Sequence, residues 1–172
     1  MDAAYRDDRV VAVASVFLEG ELVEQKSYSG ACSLPYVSGL FYLLEGPFAT
    51  EAVRRIEVRP QLLCFDAHGA AHPRAAGLAT ICGIVLGIPS LGMAKSPLVG
   101  TVLGPRNGLG RMVYDGRTVG FVSEKGGAKR YWSPGYSVSL RELRSIIDRY
   151  ASVCLRAMAE SDRASRALVR AG

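Results

Sequence analysis

No apolar run in this chain approaches the ~20 residues that a helix needs to cross a bilayer. The nearest candidate, "GLATICGIVLGIPSLGMA" (77–94), is broken by its glycines and by Pro89 into a helix and a strand. The amino end, "MDAAYRDDR", is polar and lacks the apolar core of a signal peptide. These absences argue against a membrane role and point to a soluble, cytoplasmic protein. Cysteine is sparse as well. Cys32, Cys64, Cys82 and Cys154 are scattered with no C-x-x-C pair, which argues against a zinc site or disulfide framework and suits buried thiols in a reducing compartment. Histidine occurs only at His68 and His72. Their spacing mimics a zinc motif, but Gly69 lies between them and no third ligand follows, so both are read as hydrogen-bonding a loop. The one tryptophan, Trp132, is read as core rather than as a base-stacking surface. Repeats and linkers are missing too, so residues 1–172 are expected to form one α/β domain.

What is present is an ordinary globular balance, with 49% hydrophobic and 22% charged residues, enough for a sizeable core. The formal charge of +5 permits a polyanionic partner. "RVVAVASVFLEG" (9–20) is Val/Ala-rich, as a largely buried strand is, and Gly20–Glu21 turns it into a second strand, "ELVEQKSYSGAC" (21–32). The sheet is thus expected to open with a β-hairpin. "SLPYVSGLFYLLEGP" enters a helix that continues towards Pro60, with Phe48, Ala52, Val53 and Ile56 at helical spacing. Then come a strand at "QLLCFDAHG" (61–69), a helix around "AAGLATICGIVLG" (75–87) and a strand at "IPSLGMAKS" (88–96), a parallel crossover unit. Residues 98–120 are Gly-rich and loop-like, with short strands at "GRMVYDGRTVGFVSE" and "AKRYWSPG". "SLRELRSIIDRYASVCLRAMAE" (139–160) is an amphipathic helix, with Ser139 and Glu142 placed for a capping box.

Open α/β sheets bind ligands at the carboxyl ends of their strands. Asp66 and Lys95 fall at two such ends, Asp2 lies where the first strand begins or ends, and Glu45 sits in the loop-to-helix segment. Each carboxylate alone would also fit a helix cap or a solvated turn. Several converging at one sheet edge suit a hard cation such as Mg²⁺, which takes oxygen ligands.

Four blocks, "LPYVSGLFYLLEGP", "DAHGAAHPRAAGLAT", "GIPSLGMAKSPLVG" and "YWSPGYSVSL", resemble the successive motifs of the endonuclease V family in the family's order. The resemblance runs from Asp2 to about Ala167. It implies a ribonuclease H-like fold, with a mixed central sheet flanked by helices. It also implies a Mg²⁺- or Mn²⁺-dependent endonuclease that cuts nucleic acid near inosine or deoxyinosine. Asp2 and Tyr5 match the family's D-x-x-Y strand, Glu45 its E-G-P block, Asp66 its D-G-H-G block, and Lys95 the lysine after its G-V-A strand. Pro35, Tyr36, Val37 and Ser38 match the wedge that parts strands at the lesion. The resemblance thus implies Asp2, Asp66 and Glu45 as metal ligands and Lys95 as the phosphate-neutralising cation. Gly39, Leu40, Ala67 and His68 would wall the base pocket. The expected partner is inosine-containing DNA or RNA, bound by a monomer.

The chain departs from the family pattern in three places. Tyr136 stands where the S-P-G-H block has histidine. A phenol with an ordinary pKa near ~10 donates at neutral pH rather than accepting a proton, so reduced or altered cutting is expected. Ser38 replaces the wedge's second proline, and Ala67 replaces a glycine, adding a methyl to the pocket wall. Family members also carry a helical segment ahead of the first aspartate, whereas Asp2 is the second residue here. Either the start lies upstream of Met1 or the amino end is loose. The rival expectation is a nucleic-acid-binding pseudoenzyme that keeps the fold and cuts little or not at all.

Overall fold

A computed structural model describes residues 1–35, 37, 39–106, 108–125 and 128–171. The sequence-expected wedge positions Tyr36 and Ser38 lie outside the described residues. Contacts group the chain into one unit of residues 1–61 with 150–172 and a second of residues 62–149.

The first unit is built on a three-stranded antiparallel sheet in the order β1 (Asp2–Arg6), β2 (Arg9–Leu18), β3 (Glu21–Ala31). The β2–β3 hairpin is present as expected. β1 adds a strand before it, in register Asp2↔Val13 through Arg6↔Arg9. "DAAYR" has no alternating apolar pattern, so its strand state comes from pairing with β2 rather than from propensity. β2 is buried over Val10–Ala14 because both its faces are covered. On one face lies α1 (Phe41–Arg54), whose Phe48 ring comes so close to Gly30 that a Cβ there would sit 3.0 Å from Phe48 Cε1. On the other, Ala4, Val11 and Val13 pack with Val169 and Ala164 of α3 (Leu140–Ala171). α1 stops before Ile56, earlier than the periodicity suggested.

The second unit carries a six-stranded mixed sheet in the order β4-β5-β9-β8-β7-β6. β4 (Leu63–Phe65) and β5 (Ser90–Ala94) are parallel and joined through α2 (Leu78–Leu86), the expected crossover. β9 (Ala128–Pro134) runs antiparallel to β5, followed by β8 (Arg117–Lys125), β7 (Leu109–Tyr114) and β6 (Thr101–Arg106). β6 corrects the loop expected around 98–108. "TVLGPR" conceals a strand because Gly104 and Pro105 punctuate it, but an edge strand with an irregularity between Leu103 and Arg106 tolerates both. Trp132 is fully buried and donates its indole N–H to Ser123 Oγ at 2.8 Å, a core role.

The expected capping box opens α3. The Ser139 N–H donates to Glu142 Oε2 at 2.8 Å, and the Glu142 N–H donates back to Ser139 Oγ at 3.2 Å. The helix runs past residue 160, where its apolar period had faded. Its buried stripe continues as Cys154, Met158, Ser161, Ser165 and Val169. Two of these core-facing positions are serines, which hides the stripe from a hydrophobic count.

Candidate functional site

In the first unit, β1 presents side chains to both faces of its sheet. Asp2 and Ala4 share one face, and Ala3 and Tyr5 share the other. Asp2 is buried, and pairing with Val13 fixes its backbone. Its Oδ2 lies 3.3 Å from the hydroxyl of Ser165 on α3. Glu45 sits in the second turn of α1 among the core-facing residues Leu44, Phe48 and Ala49, and is only 5% exposed. A carboxylate on the apolar stripe of a helix is costly to bury unless it is hydrogen-bonded or neutralised. Tyr5 meets part of that need by donating its hydroxyl to Glu45. Burial first, then the Glu45 charge, and more weakly Cys32 and Asp2, push the phenol's pKa upward, so it stays a donor.

In the second unit, Asp66 and Lys95 follow directly on the carboxyl ends of the parallel strands β4 and β5, as expected. Lys95 Nζ meets Asp66 Oδ2 at 2.5 Å, with the Asp66 side chain 10% exposed and that of Lys95 56% exposed. The loop after Asp66 lies flat on the neighbouring strands. The Gly69 N–H donates to Ser133 Oγ at 2.8 Å, Ala70 N–H to the Pro134 carbonyl at 2.7 Å, and Ala79 N–H to the His68 carbonyl at 3.1 Å. This approach requires glycine below it. A Cβ on Gly92 would stand 2.3 Å from the Ala67 carbonyl oxygen, and one on Gly69 would stand 2.1 Å from that of Pro134. The sequence reading missed these supports, although a glycine inside the apolar strand "SLGMA" signals such backbone contact.

His72 is buried, and its Nδ1 accepts the Arg74 N–H at 3.2 Å, which is the loop role expected of it. Burial pushes the His68 pKa down, offset in part by its hydrogen bond to the Ser96 backbone. Its Nδ1 is buried without a hydrogen-bond partner among the described residues. Tyr136 follows β9, its N–H donating to Ser90 Oγ and its carbonyl accepting the Ser90 N–H, both at 2.9 Å. That anchor at the start of β5 is about 10 Å along the strand from the level of Asp66. In the first unit, Pro35 and Val37 are exposed ahead of α1, and Gly39 takes a left-handed φ of +79° in the turn that closes Leu40 N–H on the Val37 carbonyl at 2.9 Å.

In the first unit Asp2 and Glu45, and in the second Asp66, are largely buried oxygen donors of the kind a hard cation takes. Among the described residues, no three His, Cys, Asp or Glu side chains stand close enough together to cage a metal alone. Mg²⁺ usually takes one or two carboxylates and completes its shell with water and phosphate oxygens, so such a cage is not required. No described helix is long and apolar enough to cross a membrane.

Comparison with known proteins adds an independent line. The family model of Endonuclease V matches residues 1–156. A curated relative, Endonuclease V of Geotalea uraniireducens, is 37% identical over 156 residues, covering 87% of this chain and 67% of its own. The crystal structure of Endonuclease V from Streptomyces avermitilis superposes with a TM-score of 0.78 at 30% identity, over 94% of this chain and 80% of that one. Endonuclease V of Ciona intestinalis, solved with a 24-mer DNA containing an inosine followed by a ribo-adenosine, gives a TM-score of 0.82 at 18% identity. It covers 98% of this chain and 84% of that one, and at this identity the likeness is one of fold. The fold is accordingly α/β of the ribonuclease H-like kind.

Proposed function

The chain belongs to the Endonuclease V family, and from that membership we propose that it is a metal-dependent endonuclease cutting a phosphodiester bond near inosine or deoxyinosine. The observation that carries the reading is the burial of two carboxylates, Asp2 and Glu45, in one unit, with Glu45 accepting the Tyr5 hydroxyl. A carboxylate kept out of water is costly to bury unless a cation, a hydrogen bond or a proton compensates it. The inosine-containing DNA bound by the Ciona protein supports the substrate class.

Asp2, Glu45 and Asp66 would hold the cation. A bound Mg²⁺ or Mn²⁺ supplies Lewis acidity towards the phosphate and a water acidic enough to act near neutral pH. The chain's own groups do the rest. Tyr5 aims Glu45 by donating its hydroxyl to it. Lys95, mostly exposed at its strand end, turns its ammonium from Asp66 to the charge that develops on the phosphate. Pro35, Tyr36, Val37 and Ser38 part the strand, with the ring of Tyr36 filling the gap left by the departing base. Backbone at Gly39, Leu40, Ala67 and His68 walls the base pocket, and the Ala67 methyl narrows it. Tyr136, in the family's histidine position, donates a hydrogen bond but serves poorly as a base, so cutting is slow. The protein works in the cytoplasm as a monomer, in a role in DNA repair or inosine-RNA processing.

The test is a strand carrying one inosine, incubated with and without Mg²⁺ or Mn²⁺ beside an adenosine control. A metal-dependent nick next to inosine alone is expected. Tight, inosine-selective binding with no nick under either metal would replace the nuclease by a binding module.

A further inference from the structure

We propose that Ser165 is a positioning residue for Asp2, holding its carboxylate in the orientation that receives the divalent cation. The inference rests on the metal-dependent reading above, and on residues of the first unit alone. Ser165 lies nine residues beyond the stretch matched by the family model. It is fully buried on α3, on a stripe otherwise made of Cys154, Met158, Ser161 and Val169. A serine in such a stripe forgoes apolar burial and needs a hydrogen-bonding reason to be there. Its Oγ lies 3.3 Å from Asp2 Oδ2 and 3.0 Å from the Asp162 carbonyl one turn back. The hydroxyl has one proton for these two acceptors. The back-bond to Asp162 is the commonplace use of a helical serine. A carboxylate is the stronger acceptor, and a buried one gains most from the donation.

The placement is set by the fold rather than by chance rotamers. Alternation along β1 turns Asp2 to the face where Ala4, Val11 and Val13 pack on Val169. Val169 is one turn from Ser165, so the packing that seats α3 also brings the hydroxyl to the carboxylate. A hydrogen bond to one oxygen of a ligating carboxylate fixes its plane. Losing such a support typically weakens metal affinity by about 10- to 100-fold.

Ser161 provides the internal control. It is equally buried on the same stripe, but its hydroxyl meets Ser15 Oγ at 2.9 Å rather than a carboxylate. Mn²⁺ binding to the whole chain is measured by the electron paramagnetic resonance signal of the free ion, with thermal midpoints, for wild type, Ser165→Ala, Ser161→Ala and Asp2→Asn. Ser165→Ala should bind Mn²⁺ about tenfold more weakly. Ser161→Ala should bind as wild type while losing a similar amount of thermal stability. The Mn²⁺ concentration for half-maximal cleavage should rise in step for Ser165→Ala, with the rate recovered at saturating metal. Should Ser165→Ala fold poorly, Ser165→Cys keeps the volume, weakens the donor and carries the same comparison. Wild-type affinity in Ser165→Ala, or equal weakening in Ser161→Ala, overturns the proposal while leaving the metal reading intact. Wild type that binds no Mn²⁺, or binds it no better than Asp2→Asn, removes Asp2 as a ligand and this inference with it.

Discussion

Gly92→Ala tests whether the strand-end loop sets the chemistry. The mutation adds one methyl beneath the backbone that follows Asp66. That Cβ would lie 2.3 Å from the Ala67 carbonyl oxygen, 2.7 Å from the Gly69 nitrogen and 2.8 Å from the His68 carbonyl carbon. Real Cβ atoms do not approach below 3.0 Å, so the loop must retreat by at least 0.7 Å from Ala67 alone. Every neighbour is main chain, and none can swing aside as a side-chain tip would. Asp66 is bonded directly to this loop and moves with it. Overpacking of this kind costs about 1–3 kcal/mol. A misplacement approaching ~1 Å in a reacting group can cost about 10²-fold in rate. The expected result is a cleavage rate about ten- to a hundredfold lower under single turnover, and a thermal midpoint lower by several degrees. Gly104→Ala is the control, since a Cβ there meets nothing within 4 Å. It should leave both readouts unchanged. A folded Gly92→Ala that cuts an inosine strand at the wild-type rate would refute the link between this packing and the reacting groups.

Asp66→Ala should abolish cleavage yet leave metal-free binding to an inosine strand nearly intact, because Lys and Arg contacts to phosphate remain. That binding should weaken steeply as salt is raised, read by fluorescence anisotropy. Tyr136→His should raise the cleavage rate by about 10²-fold near neutral pH if the phenol merely fills the place of a base. Loss of activity in both Tyr136→His and Tyr136→Phe would instead show the phenol recruited as a donor. Ser139→Ala should cost about 1 kcal/mol through loss of the α3 cap, seen as a lower unfolding midpoint. The Ser139 hydroxyl and N–H hold the Glu142 carboxyl below its usual pKa. The cap's contribution is therefore present above the unfolded carboxylate pKa and fades as pH falls through the lower folded value. Glu142→Gln should flatten that acid limb, and an unchanged acid limb would count against the charged cap.

Local chemistry was legible in the chain itself wherever one segment carries its own signal. The β2–β3 hairpin, the β4–α2–β5 crossover and the Ser139–Glu142 box each follow from apolar period, turn residues or a cap within a few positions. Asp66 and Lys95 could be placed at strand ends for the same reason, since a strand's end is visible in its own residues. The family motifs extended this to Asp2 and Glu45, whose types and order are linear information. What a chain does not display is which distant segment lies on which face. β1 exists as a strand because β2 pairs with it, and β6 because β7 tolerates a proline at the edge. The late turns of α3 read as polar because two of their core positions are serines, and only the packing of Val169 on β1 shows that these point inward. The Tyr5–Glu45 and Ser165–Asp2 contacts likewise join residues 40 and 163 positions apart. Hydrogen bonds and van der Waals contact act over a few ångströms of space, so residue type and period set the elements, and their packing alone decides which side chains meet.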